Sequence, residues 1–407
     1  MVNRMKDTEV LSRIEKLFVF LVIISSGTTI SLTFSLQYYA MVLLFAVFIL
    51  LRRFSVNYNM KVVVVCFVSV SFLLLQYAFA EIGTLSASTI MKNAALFLSV
   101  ILFVSYNPHR NTSRFDYFIK LLLVISAVSN VLFVLYLIGI PLPTVGVHNN
   151  DANVVSIMYL EQITISGNYG VFGYRNSGIY WEPGMYQIYL NLMLIYYLYA
   201  PKDRHKNRAL ICAYLILTII TTGSVTGYAV CMLIMVLYAM WNFSKPQTKI
   251  LIIVLTAIGV IVAYPYLEAM LNTKMTIGNS FEHRFSDIVN GLELFKKSPI
   301  WGFGLGNNVY AQEYAHVFNE ARGNTNGLIA VLLQFGTIGL VFYLAQFKNF
   351  CAWLRENYDV KMILPLVVWL FASFNNEQIA LHPFVFFLLG IGIGQKSRKK
   401  RFLVNHE

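Results

Sequence analysis

The sequence predicts an all-α, polytopic integral membrane protein with about twelve transmembrane helices, and three observations carry that prediction. Of 407 residues, 57% are hydrophobic and only 12% are charged, with a mean hydropathy of +0.63, more than a soluble core requires. Apolar runs of about 17 to 25 residues, the length that crosses a bilayer as a helix, recur along the chain. The basic residues between them concentrate on alternate connections, as they do where cytoplasmic loops hold positive charge.

The predicted spans have cores at 17–34, 36–51, 62–80, 87–105, 118–140, 184–200, 208–222, 225–241, 250–267, 326–346, 362–375 and 378–394. With the N-terminus in the cytoplasm, that side takes the clusters Arg4 to Lys16, Arg52 to Lys61, Arg110 to Lys120, Lys202 to Arg208, Lys245 with Lys249, Lys348 to Lys361, and Lys396 to Arg401. The opposite side receives Arg175, Lys274, Arg284, Lys296, Lys297 and Arg322, with Lys92 inside the fourth span. A miscounted span would invert every later loop, yet the bias stays consistent to the end, so both termini are predicted to be cytoplasmic. Lys92 reads as a snorkelling or structurally paired cation.

The net charge of +12 is then a consequence of topology, and it argues against nucleic-acid binding. The basic tail follows a membrane helix directly and suits anionic lipid. The first apolar segment follows a charged stretch and is too long for a cleaved signal, so it reads as a retained anchor. Cys66, Cys212, Cys231 and Cys351 form neither a disulfide framework nor a zinc pattern, and the histidines show no ligand spacing, so no metal or cofactor is expected. The whole chain, 1–407, reads as one transmembrane domain without internal repeats, which weakens the case for a repeat-built transporter.

Two connections stand out by size, at 141–183 and 268–325, both on the predicted outer face, where long loops bind or catalyse. The first ends in Tyr174-Arg175-Asn176-Ser177-Gly178-Ile179-Tyr180-Trp181-Glu182-Pro183-Gly184. Pro183 suits the first turn of a helix, whose unpaired amides and dipole beside Arg175 make an anion site. Headgroup contact is the plain alternative for Arg175. Glu182 fits either a partner for the helix dipole or a catalytic carboxylate, and Tyr180 with Trp181 fits an interfacial aromatic belt.

In the second loop, Phe281, Phe285, Ile288, Val289, Leu292 and Phe295 recur at helical spacing, predicting an amphipathic helix against the membrane or the bundle. Arg284 and Asp287 on another face could form an ordinary surface pair worth about 0.3 to 0.5 kcal/mol. The glycines of Ser298-Pro299-Ile300-Trp301-Gly302-Phe303-Gly304-Leu305-Gly306-Asn307-Asn308 lack the strand and helix of a nucleotide loop; they predict a tight turn whose amides could meet phosphate oxygens. Thr221 to Gly227, which includes Thr226, and Asn375 to Gln378 read as solvated helical hairpin turns.

Two arginines from separate loops suit a diphosphate, because guanidinium groups stay charged and bind phosphate oxygens in a forked geometry. Apolar spans would hold a lipid tail beside it, which makes a lipid-linked diphosphate sugar a coherent substrate with the diphosphate as leaving group. An acceptor hydroxyl then needs a base. Glu182 and Asp287 are the best placed, with His316 and His283 behind them, and the sequence does not choose among them.

At these residues the chain resembles a known family. The 175–184 motif, the turn at 221–227, Arg284 to Asp287, Ser298 to Asn307, and Asn326 with Gly336 and Gly339 are similar, in order and topology over nearly the whole chain, to the O-antigen polymerase and ligase superfamily. The resemblance is closest to polymerases of the Wzy type, multi-pass glycosyltransferases of the bacterial inner membrane. It implies transfer of a growing glycan from undecaprenyl diphosphate to a new lipid-linked repeat unit, with a flippase and a chain-length regulator of the same pathway as partners. It further implies that Arg175 and Arg284 bind diphosphate; secondary candidates are Asn326 and Thr226, the latter for a turn hydroxyl that could orient a glycan or phosphate. Ligases carry a His-Asn or similar pair ahead of Gly-x-x-Gly; here Gly336-Thr337-Ile338-Gly339 is preceded by Thr325-Asn326, and His316 lies too far upstream to replace the histidine. That departure favours polymerase over ligase, while a ligase attaching polymer to lipid A core and a lipid-linked oligosaccharide transporter remain the alternatives.

Overall fold

Helices dominate the structure, a computed structural model that describes residues 11–33, 36–51, 59–79, 85–144, 146–147, 154–157, 159–165, 171, 173–200, 207–247, 249–250, 254, 280–318 and 323–394. In chain order they are α1 (Arg13–Ile24), α2 (Thr29–Thr33), α3 (Leu36–Leu51), α4 (Met60–Phe79), α5 (Ala87–Tyr106), α6 (Asn111–Leu137), α7 (Pro183–Tyr199), α8 (Arg208–Thr221), α9 (Val225–Asn242), α10 (Ser280–Phe295), α11 (Val309–Phe318), α12 (Gly327–Asn357), α13 (Ile363–Asn376) and α14 (Pro383–Ile393). Among the described residues, 5 helical stretches are long and apolar enough to cross a membrane by length and composition: Met60–Phe79, Ala87–Tyr106, Pro108–Leu137, Val225–Asn242 and Gly327–Asn357. Arg208–Thr221, Val360–Asn376 and Pro383–Ile393 are apolar but shorter. Of the predicted span at 250–267, all but Ile250 and Val254 lie outside the described residues.

Two helices that are apolar on every side form the centre of the bundle, as that pattern demands. Every residue of α7 from Met185 to Tyr199 is buried, as is all of α14. Helix α7 packs on α6, α8, α9 and α13, and α14 on α1, α5 and α12. Two tyrosines of α7 keep their hydroxyls satisfied, Tyr189 donating to the Ser26 carbonyl at 2.7 Å and Tyr196 to Asp116 at 2.7 Å, which lets large polar-tipped rings fill a core.

At one end of the bundle Arg114 is fully buried. Its Nη1 donates to the carbonyls of Val104 at 2.9 Å and Asn107 at 3.2 Å and to Asn111 Oδ1 at 3.0 Å, while Nη2 meets Glu15 at 2.9 Å. A buried cation so completely bonded ties α1, α5 and α6 into one corner. Lys92 is paired with an aromatic, its ammonium 4.2 Å from the Tyr38 ring centre.

The structure corrects the sequence reading in several places. The all-α expectation fails in the segment 141–183, which forms a 4-stranded antiparallel sheet of β1 (Gly146–Val147), β2 (Val154–Ile157), β3 (Glu161–Ile165) and β4 (Tyr174–Asn176), paired in chain order. Its strands are short and rich in β-branched residues, and β3 seats the sheet against α6. The first predicted span is not one helix either. Helix α1 stops at Ile24, where Ser26 and Thr28 hydroxyls donate to the Val22 and Ile24 carbonyls. Gly27 then turns at φ 79° and Thr28 bridges to Tyr180, so local side-chain bonds displace the helical ladder.

In the segment 268–325, helix α10 buries Asp287, Gly291 and Leu294 against α12. Of the apolar stripe read from the sequence, the side chain of Phe281 lies outside the described residues; among the rest, Phe285, Val289 and Leu292 face outward while Ile288 and Phe295 pack partly inward. Helix α12 is broken at Gly336 (φ 63°, ψ −162°). The loop at 298–304 repairs the break: Phe303 and Gly304 amides donate to the Leu333 and Gln334 carbonyls at 2.7 and 3.1 Å, and Thr337 and Ile338 amides return to Pro299 and Ile300 at 2.9 and 3.3 Å. Gln76 closes the seam from α4, donating to the Trp301 and Gln334 carbonyls at 2.6 and 2.9 Å. Groups freed by a break in an apolar region must be satisfied by protein. The amides of 303 and 304 that the sequence offered to phosphate oxygens are therefore spent on α12.

Candidate functional site

Glu182 occupies the N-cap of α7 in extended conformation, followed by Pro183 at the first helical position, yet its side chain does not cap the helix. Its Oε1 accepts instead from Trp181 Nε1 at 3.1 Å. The carboxyl turns toward the end of α13, where the hairpin to α14 begins. Asn376 and Glu377 there are 6% and 8% exposed, so the middle of the polar turn read as solvated is buried, while Asn375 and Gln378 are exposed.

Glu377 fits because α7 opens with a glycine: a Cβ on Gly184 would stand 2.6 Å from Glu377 Oε1. Asn376 Nδ2 donates to that oxygen at 2.8 Å. The Glu182 carboxyl neighbours that of Glu377. Burial pushes the Glu377 carboxyl well above the usual carboxylate range, Glu182 pushes it further, and Arg284 opposes the shift. Asn376 Oδ1 in turn accepts from Thr226 Oγ1 at 3.1 Å and from Arg284 Nη1. Glu182, Thr226 and Arg284, distant in sequence, thus meet around Asn376 and Glu377.

Arg175 reaches the same α8–α9 turn from the sheet. In β4 it is half-buried and pairs with Thr164 of β3, and its Nε donates to the Thr222 carbonyl at 3.0 Å. Gly223 passes beneath it at φ 59°, where a Cβ would lie 3.0 Å from Arg175 Nε. Asn326 caps α12, its Oδ1 accepting from the Leu328 and Ile329 amides at 3.0 and 3.1 Å, and its Nδ2 donates to Asn375 Oδ1 at 2.7 Å. Gln378 donates to the Asn324 carbonyl, so the hairpin and the start of α12 are stitched together.

The other two proposed bases sit elsewhere. Asp287 is fully buried; its carboxylate accepts from Tyr310 Oη at 2.6 Å, from the Thr325 amide at 2.8 Å and from the Thr325 hydroxyl. The surface ion pair with Arg284 weighed from the sequence gives way to this divergence, Arg284 turning to the hairpin and Asp287 inward. His316 lies exposed in the last turn of α11. His283 has no described side chain. The sequence reading missed Glu377 and Asn376 as site residues, although a carboxylate flanked by three amides between two apolar runs was a signal for them.

Chemically, the arrangement offers a guanidinium oriented by an amide, a second guanidinium on the neighbouring turn, and two neighbouring carboxyls, Glu182 and the buried Glu377, beside them. Among the described residues no group of His, Cys, Asp and Glu is placed to hold a metal ion. No curated protein matches the chain. The model of one family, described as O-antigen ligase, matches residues 210–344, a stretch that holds Thr226, Arg284 and Asn326 and leaves Arg175, Glu182 and Glu377 outside. That match, over about a third of the chain, is consistent with a member of the O-antigen polymerase and ligase superfamily.

Proposed function

We propose that this protein polymerises oligosaccharide repeat units carried on undecaprenyl diphosphate, moving the growing chain from its lipid carrier to a new lipid-linked unit. The observation that carries the reading is Arg284 held by Asn376 beside the Glu182 carboxyl, with Arg175 on the adjoining turn. In the reaction, a hydroxyl of the incoming unit attacks the anomeric carbon of the donor glycan. The new glycosidic bond forms as the bond from that carbon to the diphosphate oxygen breaks, and the electron pair leaves on the diphosphate. Arg175 and Arg284 stabilise that charge, and Glu182 takes the hydroxyl proton. An apolar cavity between α4, α5 and α12, lined by Val68, Phe72, Phe97, Phe335 and Phe342 among others, suits the isoprenoid tail.

The same reading puts the Glu182 end of the bundle on the periplasmic face of a bacterial inner membrane, both termini in the cytoplasm, and about twelve helices across the bilayer. A flippase and a chain-length regulator would be its partners. The family description favours a second reading, ligation of finished polymer to lipid A core. Against it, the position where ligases carry histidine holds Thr325, whose amide and hydroxyl serve Asp287. A lipid-linked oligosaccharide transporter fits less well, because the charged motifs of the candidate site concentrate in the two large loops and the hairpins beside them.

The test is reconstitution of the purified protein with a lipid-linked repeat unit, without nucleotide or metal. Longer lipid-linked products support polymerisation, and a strict requirement for a nucleotide sugar would defeat it. Cells lacking the protein separate the two transfer reactions. Loss of a polymerase leaves single repeat units on core, whereas loss of a ligase leaves long polymer on the carrier.

A further inference from the structure

An indole has a single hydrogen-bond donor, and that of Trp181 is delivered to the Glu182 carboxyl, Nε1 to Oε1 at 3.1 Å. Separate segments of the chain brace the residue that does this. Its amide donates to the Gly27 carbonyl at 3.4 Å, and its carbonyl accepts from Gln162 of β3. Gln162 is itself fixed, accepting from Thr29 Oγ1 at 2.7 Å and donating its amide to the Gly178 carbonyl at 2.7 Å. The Trp181 ring meets the His382 ring of the α13–α14 hairpin edge-on, with centres 5.4 Å apart and planes at 89°. Gly27 closes over the ring: a Cβ there would stand 2.9 Å from the indole, 3.0 Å from His382 and 2.6 Å from Met185 of α7. A tryptophan of an interfacial belt would offer its N–H to the headgroup region; here Glu182 takes it.

The position of Glu182 gives this contact its meaning. At the N-cap of a helix a carboxylate ordinarily turns back onto the first amides, which stabilise it. The Glu182 side chain makes no such cap on α7. We propose that Trp181 is a positioning residue for Glu182: the braced indole holds one carboxyl oxygen and keeps the group off the N-terminus of α7, on the side of the Asn376–Glu377 hairpin where Arg284 is held. The orientation stands on this geometry alone, whereas its use in catalysis rests on the glycosyl-transfer reading above. A carboxylate spent on helix amides would be displaced from the acceptor hydroxyl, while one held by the indole is aimed before the substrate arrives.

The experiment places Trp181→Phe in wild type and in Glu182→Ala, in lipid nanodiscs with a lipid-linked repeat unit as substrate. Phenylalanine keeps an aromatic ring against His382 and removes only the N–H. In wild type it should lower kcat by about tenfold and leave the donor KM within about twofold. In Glu182→Ala, where no carboxyl is left to aim, it should lower the residual rate by less than about twofold. A tryptophan that served only packing or membrane anchoring would cost the same in both backgrounds. Ultraviolet resonance Raman spectra, which report hydrogen bonding at the indole N–H, supply a second measurement that needs no change at Trp181. Wild type minus Glu182→Ala should show one of the five tryptophans losing its hydrogen bond, and that difference should vanish in the Trp181→Phe background. Equal losses in the two backgrounds, a loss confined to KM, or an indole signal unmoved by Glu182→Ala overturns the proposal. A wild type that makes no product but shows the indole change keeps the orientation and sinks the glycosyl-transfer reading instead.

Discussion

Thr226 and Arg284 donate to one and the same oxygen, Asn376 Oδ1. Their helices, α9 and α10, are thereby keyed to the end of α13, and the direction of a guanidinium is set by a neutral acceptor that leaves its charge intact. Replacing Asn376 by Ala should release the guanidinium and raise the KM for a lipid-linked donor by roughly tenfold, about 1.4 kcal/mol of lost orientation. Asn376→Asp should be worse, because a carboxylate at that distance competes with the diphosphate for the same arginine. Steady-state kinetics with the two variants, each checked for membrane insertion, would detect this; equal KM values for Asp and Ala would contradict it.

Arg175→Ala and Arg284→Ala should each abolish chain lengthening while the protein still inserts. The lysine variants should recover only part of the activity, since an ammonium restores charge but not the forked contact. Gel ladders of glycan from complemented cells provide the measurement, and normal ladders from both alanine variants would remove the diphosphate clamp from consideration.

Asp287 and Glu182 were equal candidates for the base on sequence grounds, and their surroundings now separate them. Asp287→Asn can keep its oxygen as acceptor for Thr325 while its amide donates to the Tyr310 hydroxyl, and should cost less than about tenfold in rate. Glu182→Gln should cost on the order of a hundredfold to ten-thousandfold, the range for loss of a general base. Asp287→Ala leaves buried donors unpaired and should lower stability by about 1 to 3 kcal/mol. A large rate loss in Asp287→Asn with unchanged stability would reverse the assignment.

What the sequence made legible follows from which forces act locally. Apolar length and basic clusters reveal α4 to α9 because each helix is encoded by its own residues. The break at Gly336 was not legible, since it depends on carbonyls of Pro299 and Ile300 and on Gln76 from a remote helix. The same holds for the site. Arg175, Glu182 and Arg284 announced themselves as charges beside apolar runs, whereas Glu377 looked like a solvated turn until Gly184 and Gly327 were seen to close over it. The sheet escaped notice because four short strands carry too few residues to outweigh a helical background.

Glu161 yields a prediction about pH and stability. It is fully buried in β3, with Ser129 donating to one oxygen and no partner for the other among the described residues. Burial pushes its carboxyl well above the ordinary value of 4.5, with the Gly178 amide opposing. The folded chain therefore binds a proton that the unfolded chain has released, and stability present below the ordinary carboxylate range falls as pH rises toward the folded value. The slope reaches at most about 1.4 kcal/mol per pH unit for one such proton. Glu377 adds a slope of the same sign. Glu161→Gln should flatten the fall of Tm between about pH 5 and 8 without erasing it, as read by thermal unfolding in nanodiscs; an unchanged slope would show that Glu161 does not keep its proton.

The wide spacing of the acid pair has a consequence for how the protein is made. Arg284 waits 92 residues of synthesis for Asn376, and Glu182 waits longer still for Glu377. Every chain that stalls or is cut before the α13–α14 hairpin carries both arginines but neither the amide that aims Arg284 nor the acid that accompanies Glu182. On the glycosyl-transfer reading, partial products of this kind should lack activity until the α13–α14 hairpin is in place.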